Sequence, residues 1–313
     1  MKKLTIATRG SKLALWQSNH IKSVIESSFA DVEVELKIVI TSGDKILDAP
    51  LAKIGGKGLF LKEIEEAMMR GEAQMAVHSL KDVPTVMPEG LVLSAITTRQ
   101  DVRDAMLSEK YADIASLPHG AVVGTSSLRR RMQILKQRPD LIIKDLRGNV
   151  DTRIRKLKEG EFDAIILAAA GINRLGLNDA VHYFYPISLD EMLPAMGQGA
   201  LGIETTQDEW VLEIARSLED ANSRIETTIE RGFVDTLQGG CQVPIGVSAR
   251  VQENGAVIVR SILGLPNGVE EMGETVTVSK EMTEGIGEAM AHRLIEQGAL
   301  DLLRRAEAMA NEA

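Results

Sequence analysis

Strand-like and helix-like stretches alternate along the first two thirds of the chain, and this order confines it to parallel strands covered by helices. "LTIAT" (4–8) reads as a strand, and residues 11–29 as a helix with Leu13, Trp16, Ile21, Val24 and Ile25 near one face. "VEVELKIVI" (32–40) has period two, placing Val32, Val34, Leu36, Ile38 and Ile40 on one side. A helix over about 59–70 buries Leu61, Ile64 and Met68 and stops at Gly71, before the strands "AQMAVHS" and "GLVLSAI". After about Arg103 the pattern restarts: "GAVVGT" runs into the helix "SSLRRRMQILKQ", "LIIKDL" into "NVDTRIRKLKEG", and "FDAIILAAAGINRLGL" from a buried strand into a helix.

The last third reads differently. Near "PAMGQGALGIET" the chain returns to a strand, and helices over about 208–218 and 223–237 follow. "PIGVSARV", "AVIVRSILGL" and "ETVTVS" are period-two strands in hairpin order, followed by helices from about Thr283. With 313 residues the chain is too long for one ordinary core, so two or three domains are expected.

Only 3% of residues are aromatic, so the cores must rest on Leu, Ile, Val, Ala and Met. One cysteine excludes an internal disulfide framework and a multi-cysteine metal site. The apolar stretch at the N-terminus is too short for a signal segment and no apolar run is long enough to span a bilayer, so the expected location is the cytoplasm, off the membrane. A net charge of −9 argues against general nucleic-acid binding. The charge is uneven: residues 126–158 hold eleven Arg or Lys against three Asp, a local +8 in an acidic body. Such a field suits a small polyanion, and a solvated cationic helix face is the competing reading.

Several familiar motifs fail on inspection. "IGGKGLF" (54–60) lacks the Ser or Thr that follows Gly-Lys in a phosphate loop, and "GQGALG" (197–202) runs into a strand where a dinucleotide fingerprint should open a helix. The five histidines show no metal-ligand spacing, so no metal is expected. "HSLKDVP" (78–84) carries more, because a strand ends there and sets Lys81 and Asp82 at the carboxyl edge of a parallel sheet, where ligands bind; an ordinary turn is the alternative. "TSSLRRR" combines free amides at a helix start, the hydroxyls of Thr125, Ser126 and Ser127, and guanidinium groups one turn in, a set suited to carboxylates or phosphates. Cys241, in "LQGGCQVPIG", reads either as a small buried hydrophobe or, given Gly239 and Gly240, as a thiol on an exposed loop where something is attached or attacked. A periplasmic-type binding module and a cysteine-dependent hydrolase remain compatible with these residues.

Taken in order, "TRGSKLALWQ", "DAPLAKIGGKGLF", "AVHSLKDVP", "VGTSSLRRR", "DLRGNVDTR", "DAIILAAAGINRLG", "PAMGQGALGIE" and "GGCQVPIG" resemble the porphobilinogen deaminases, also called hydroxymethylbilane synthases, along nearly the whole chain. Gly10 and Lys12 depart from other members, while Arg9 and Ser11 are kept. The resemblance implies an α/β fold with two domains like type II periplasmic binding proteins and a small α+β C-terminal domain with an antiparallel sheet. The implied division is 1–99 with 200–217, then 100–199, then 218–313.

The resemblance also implies a transferase of tetrapyrrole biosynthesis. Four porphobilinogen molecules are joined head to tail with loss of ammonia on a dipyrromethane cofactor, and the linear tetrapyrrole is released by hydrolysis. Cys241 would carry the cofactor through a thioether, and Asp82 would be the catalytic carboxylate. Lys81, Thr125, Ser127, Arg129, Arg130 and Arg153 would hold the cofactor's carboxylates. Arg9, Ser11, Arg147 and Arg174 would grip substrate or the extending chain, Lys57, Phe60 and Asp48 would lie on a loop closing over the cleft, and Gln198 would line its hinge side. The small molecule porphobilinogen is the implied partner, and a monomer the implied state.

Overall fold

A computed structural model describes residues 1–45, 61–239 and 243–312. The described residues divide into two compact units, 1–45, 61–100 and 200–224 in the first, 101–199 and 225–312 in the second. The first unit is built on one sheet. Strands β1 (Lys2–Thr8), β2 (Val32–Ile38), β3 (Met75–Ser79) and β4 (Leu91–Ile96) are joined by β10 (Leu201–Thr206) in the order β2-β1-β3-β10-β4. β1 is parallel to β2 and β3, whereas β10 runs antiparallel to both β3 and β4.

The second unit holds β5 (Asp104–Ser108), β6 (Val122–Gly124), β7 (Ile142–Lys144), β8 (Ala164–Ala168) and β9 (Tyr183–Pro186) in the order β7-β6-β8-β5-β9. Here β6 is parallel to β7 and β8, and β5 is antiparallel to β8 and β9. Both sheets therefore repeat one plan, a parallel set with a single reversed strand in the fourth place. This corrects the all-parallel expectation. The reversed strands are the two that lie next to the chain's passages between units, β5 after the first and β10 after the second, and helix–strand alternation cannot reveal their direction. The third sheet, also in the second unit, is antiparallel: β11 (Ile245–Val251) pairs β12 (Ala256–Gly264), which pairs β13 (Glu271–Met272) and β14 (Thr275–Ser279).

Alternating side chains give each α/β sheet two apolar faces. In the first unit Leu4, Ile6, Met75, Val77, Leu201 and Ile203 pack on the Lys12–Ser28 and Glu209–Arg216 helices, and Ala7 and Ala76 pack on Ile64 and Met68 of the Lys62–Met69 helix. In the second, Ile165 and Leu167 face Ile154 and Ile172, while Ala164 and Ile166 face Ile134. Each fully buried Leu, Ile or Met contributes about 1.5–3 kcal/mol.

Two expected faces are corrected. On the Lys12–Ser28 helix the buried residues are Gln17, Ser18, Ile21 and Ile25, with Val24 exposed, because Gln17 and Ser18 find hydrogen-bond partners in Ser79 and Thr8. β2 is an edge strand that ends at Ile38, so only Val32 and Val34 are fully buried and Ile38 and Ile40 are exposed.

Candidate active site

Parallel pairing places the chemistry. β1 and β3 are adjacent, with Ile6 opposite Met75, so their carboxyl ends come out side by side. From β1 emerge Arg9 and Ser11, and from β3 the short 3-10 turn Leu80–Asp82. That turn is fixed at both ends: the Leu80 amide donates to Ala200 O at 3.1 Å and the Val83 amide to Leu80 O at 3.0 Å. The result is a cavity of about 100 Å³ within the first unit, lined among others by Arg9, Ser11, Gln17, His78, Ser79 and Asp82. Asp82 is exposed and Lys81 half-buried. Ser11 also caps its helix, its hydroxyl accepting from the Ala14 amide at 3.3 Å, which fixes the loop that carries Arg9.

In the second unit the same edge logic operates. β6 leads to Thr125, Ser126 and Ser127, β7 to Arg147, and β8 to the Ala169–Leu175 helix bearing Arg174. The Ser126 hydroxyl donates to Leu146 O and accepts from the Leu146 amide, both at 3.1 Å, and so ties the β6 loop to the Arg147 loop. Ser127 caps the Leu128–Gln137 helix, and buried Thr125 accepts from the Ser127 amide. Arg147 is half-buried. Arg153, in the first turn of the Val150–Lys158 helix, donates through Nε to Gly148 O at 2.7 Å. Gly148 has φ +107°, and an added Cβ would lie 2.8 Å from the Thr152 side chain, so only glycine fits.

Arg129 and Arg130 converge on Asp104, which is fully buried at the start of β5. Arg129 Nη1 donates to Asp104 Oδ2 at 2.6 Å and to Leu193 O at 2.7 Å. Arg130 donates to Asp104 Oδ1 from Nε at 3.0 Å and Nη2 at 2.7 Å, and to Ile166 O from Nη1 at 2.9 Å. Gln198 joins them, donating to Asp104 Oδ1 and Val102 O. Burial works against the Asp104 charge, but the two guanidinium groups outweigh it and hold the carboxyl far below its usual range. Two cations against one anion leave a net positive charge in a buried cluster. Arg174 is also buried, donates to Gly199 O at 2.8 Å, and has its pKa pushed down by burial to about 10, still charged at neutral pH.

Of the residues singled out from sequence, Arg9, Ser11 and Asp82 share one cavity, and Arg129, Arg130 and Gln198 share one carboxylate. Asp48, Lys57, Phe60 and Cys241 lie outside the described residues. Sequence reasoning missed Asp104, although a carboxylate heading the apolar run "AML" was a signal. It also passed over His78 and Glu204, a buried pair with His78 Nε2 2.8 Å from Glu204 Oε2. Their signal was a charge inside the otherwise apolar strand "LGIE".

The donor set suits a ligand with several carboxylates. Hydroxyls and guanidinium groups crowd the carboxyl edge of the second unit, and among the described residues only Nη1 of the three Arg129 nitrogens has a hydrogen-bond partner. A dipyrromethane, with an acetate and a propionate on each ring, fits this chemistry.

Comparisons with known proteins agree. Residues 4–213 match the family model described as porphobilinogen deaminase, dipyromethane cofactor binding domain, and residues 224–296 match porphobilinogen deaminase, C-terminal domain. A porphobilinogen deaminase of Sulfurimonas denitrificans is 69% identical over 309 residues, covering 99% of each chain, and one of Nitratiruptor is 62% identical over 98% of each. Among solved structures, the methionine-binding protein MetQ aligns over 69% of this chain and 88% of its own, at 13% identity and a TM-score of 0.43.

Proposed function

The chain belongs to the porphobilinogen deaminase family, and from that membership together with the edge geometry of both α/β sheets we infer how its residues divide the work of hydroxymethylbilane synthesis. The enzyme is a transferase of tetrapyrrole biosynthesis that uses dipyrromethane. The observation that carries the assignment of roles is the convergence of Arg9 and Asp82 on one cavity at the carboxyl ends of β1 and β3.

Bound dipyrromethane supplies a pyrrole α-carbon as the nucleophile. Asp82 stands where a carboxylate can meet the pyrrole N–H of porphobilinogen and stabilise the methylene-pyrroleninium cation left by loss of ammonia. Arg9 and Ser11 bind the substrate's carboxylates on the same side. Lys81, Thr125, Ser127, Arg129, Arg130 and Arg153 bind the cofactor's carboxylates. Arg147 and Arg174 bind those of the growing chain, and Gln198 keeps Asp104 in place. Each elongation adds two carboxylates, and the +8 of residues 126–158 is the counter-charge. Each charge-assisted hydrogen bond contributes roughly 1.5–3 kcal/mol net.

The reading extends to a thioether at Cys241, three domains (1–99 with 200–217, 100–199, and 218–313), and action as a cytoplasmic monomer. Among the described residues no helix is long and apolar enough to cross a membrane.

Intact mass under denaturing conditions tests the anchor. The wild-type chain is expected to exceed its polypeptide mass by two linked pyrrole units, and a Cys241→Ser chain to show none. A bare wild-type mass that porphobilinogen does not raise would sink the anchor and return the binding-module reading.

A further inference from the structure

Glu204 is fully buried on β10, and it is costly there. One of its oxygens meets His78 Nε2 at 2.8 Å, while Oε1 has no partner among the described residues. A buried carboxylate costs several kcal/mol unless its lone pairs are met, and one hydrogen bond leaves that cost partly uncompensated. The surroundings do not ease it. Glu65, on the Lys62–Met69 helix, is pushed up in pKa first by burial and then by the Glu204 charge, with His78 opposing. An apolar side chain at 204 would serve the sheet better, so the pair has to be explained by what it does for the cavity beside it.

His78 connects the pair to chemistry. It is itself 7% exposed, lies four residues before Asp82, and lines the same cavity of about 100 Å³ as Arg9 and Asp82. In the neutral ring with Nε2–H donating to Glu204, Nδ1 is the accepting nitrogen. Among the described residues Nδ1 has no hydrogen-bond partner. A base oriented by a buried carboxylate, with its other nitrogen open, is a general arrangement for proton transfer.

We propose that His78, oriented by Glu204, is a proton acceptor of this cavity, beside the charge-stabilising Asp82. The inference rests on the deaminase reading above. The carbon–nitrogen bond of the aminomethyl group breaks first, its electron pair leaving with ammonia, and the methylene carbon of the resulting cation then forms the new carbon–carbon bond to the pyrrole α-carbon. The α-carbon of the attacking pyrrole then gives up its proton to His78 Nδ1, and the C–H electron pair restores the aromatic ring. His78 passes that proton to the ammonia, which departs as ammonium. His78 is thus a catalytic residue and Glu204 a positioning residue.

The test is His78→Gln, whose amide can still donate to Glu204 but leaves no basic nitrogen at the Nδ1 place. In cofactor-loaded enzyme, verified by intact mass, kcat should fall about 10²-fold, with KM within about threefold of wild type. Independently of activity, ¹⁵N NMR of the wild-type protein should show the Nε2–H tautomer at His78. A His78→Gln enzyme with wild-type kcat overturns the proposal and leaves the deaminase reading intact, because the wild type still makes hydroxymethylbilane beside it. A wild type that makes none sinks that reading instead. Should the variant fail to load or fold, the NMR decides: the Nδ1–H tautomer overturns the proposal and the Nε2–H tautomer upholds it.

Discussion

Arg130 Nη2 lies 2.7 Å from Asp104 Oδ1, and this contact joins a helix start on β6 to the first residue of the reversed strand β5. Arg129 and Gln198 reach the same carboxylate, so a single buried anion orients two cations and one amide. That is pre-organisation: guanidinium groups held this way need little reordering to meet a ligand's carboxylates.

Removing Asp104 should therefore harm both fold and binding. Asp104→Ala leaves two buried guanidinium groups uncompensated, and breaking such a cluster costs about 3–5 kcal/mol. Thermal or denaturant unfolding beside the wild type checks the stability. Cofactor content by intact mass checks whether the arginines still hold their ligand, and it is expected to fall. An Asp104→Ala protein as stable and as well loaded as wild type would contradict this.

The same carboxylate gives a pH dependence of known sign. Its folded pKa is depressed, so it contributes stability that is complete above the ordinary aspartate value of 3.8 and fades as pH falls below it toward the folded value. Asp104→Asn removes that contribution. Its stability difference from wild type should be constant near neutrality and shrink in acid, measured as unfolding free energy from pH 7 downward.

Asp82→Asn is expected to fold and to keep any cofactor acquired during expression, because Asp82 is exposed and the turn is held by the Leu80 and Val83 amides. Condensation should drop by at least about 10²-fold, since an amide cannot carry the compensating charge. Steady-state assay of ammonia release, with intact mass as the loading control, separates the two effects. Full activity would remove Asp82 from the mechanism.

Much of this was legible beforehand, and the failures have specific causes. Helix spans came through because caps and periodicity are local: the expected 11–29 helix is Lys12–Ser28, capped by Ser11. Asp82 could be placed at a strand end for the same reason, while Arg9 was implied by the family resemblance. The reversal of β5 and β10 could not be read, because strand direction depends on pairing between residues far apart in sequence, Asp104 with Ala168 and Leu201 with Ser79, rather than on local pattern. Buried polar groups were misjudged too. Gln17 and Ser18 take the inward face that Val24 seemed to own, and Glu204 meets His78 across 126 positions of sequence. For Gln17 and Glu204 a hydrogen bond to a residue 62 and 126 positions away decides the burial, and composition within a window contains no trace of that partner.

Gly148 offers a test of how backbone shape sets the edge proposed to bind anions. It sits between Arg147 and Asn149 at φ +107°, its carbonyl accepts from Arg153 Nε, and the space a Cβ would need is filled by Thr152. Gly148→Ala should therefore distort the loop that carries Arg147 and detach Arg153 from its anchor, at a cost of about 1–3 kcal/mol in stability. Because Arg147 is assigned to the growing chain, Gly148→Ala should resemble Arg147→Leu: substrate is consumed at first, and then protein masses stepped by one pyrrole unit accumulate in place of released product. A Gly148→Ala, Thr152→Ser double variant, which loses the methyl that an added Cβ would meet at 2.8 Å, should regain part of the stability, while the Cβ of residue 152 at 2.9 Å and the left-handed φ keep the remainder lost. If Gly148→Ala instead shows the wild-type melting point and product profile, the loop tolerates the strain and Arg147 is not positioned by it.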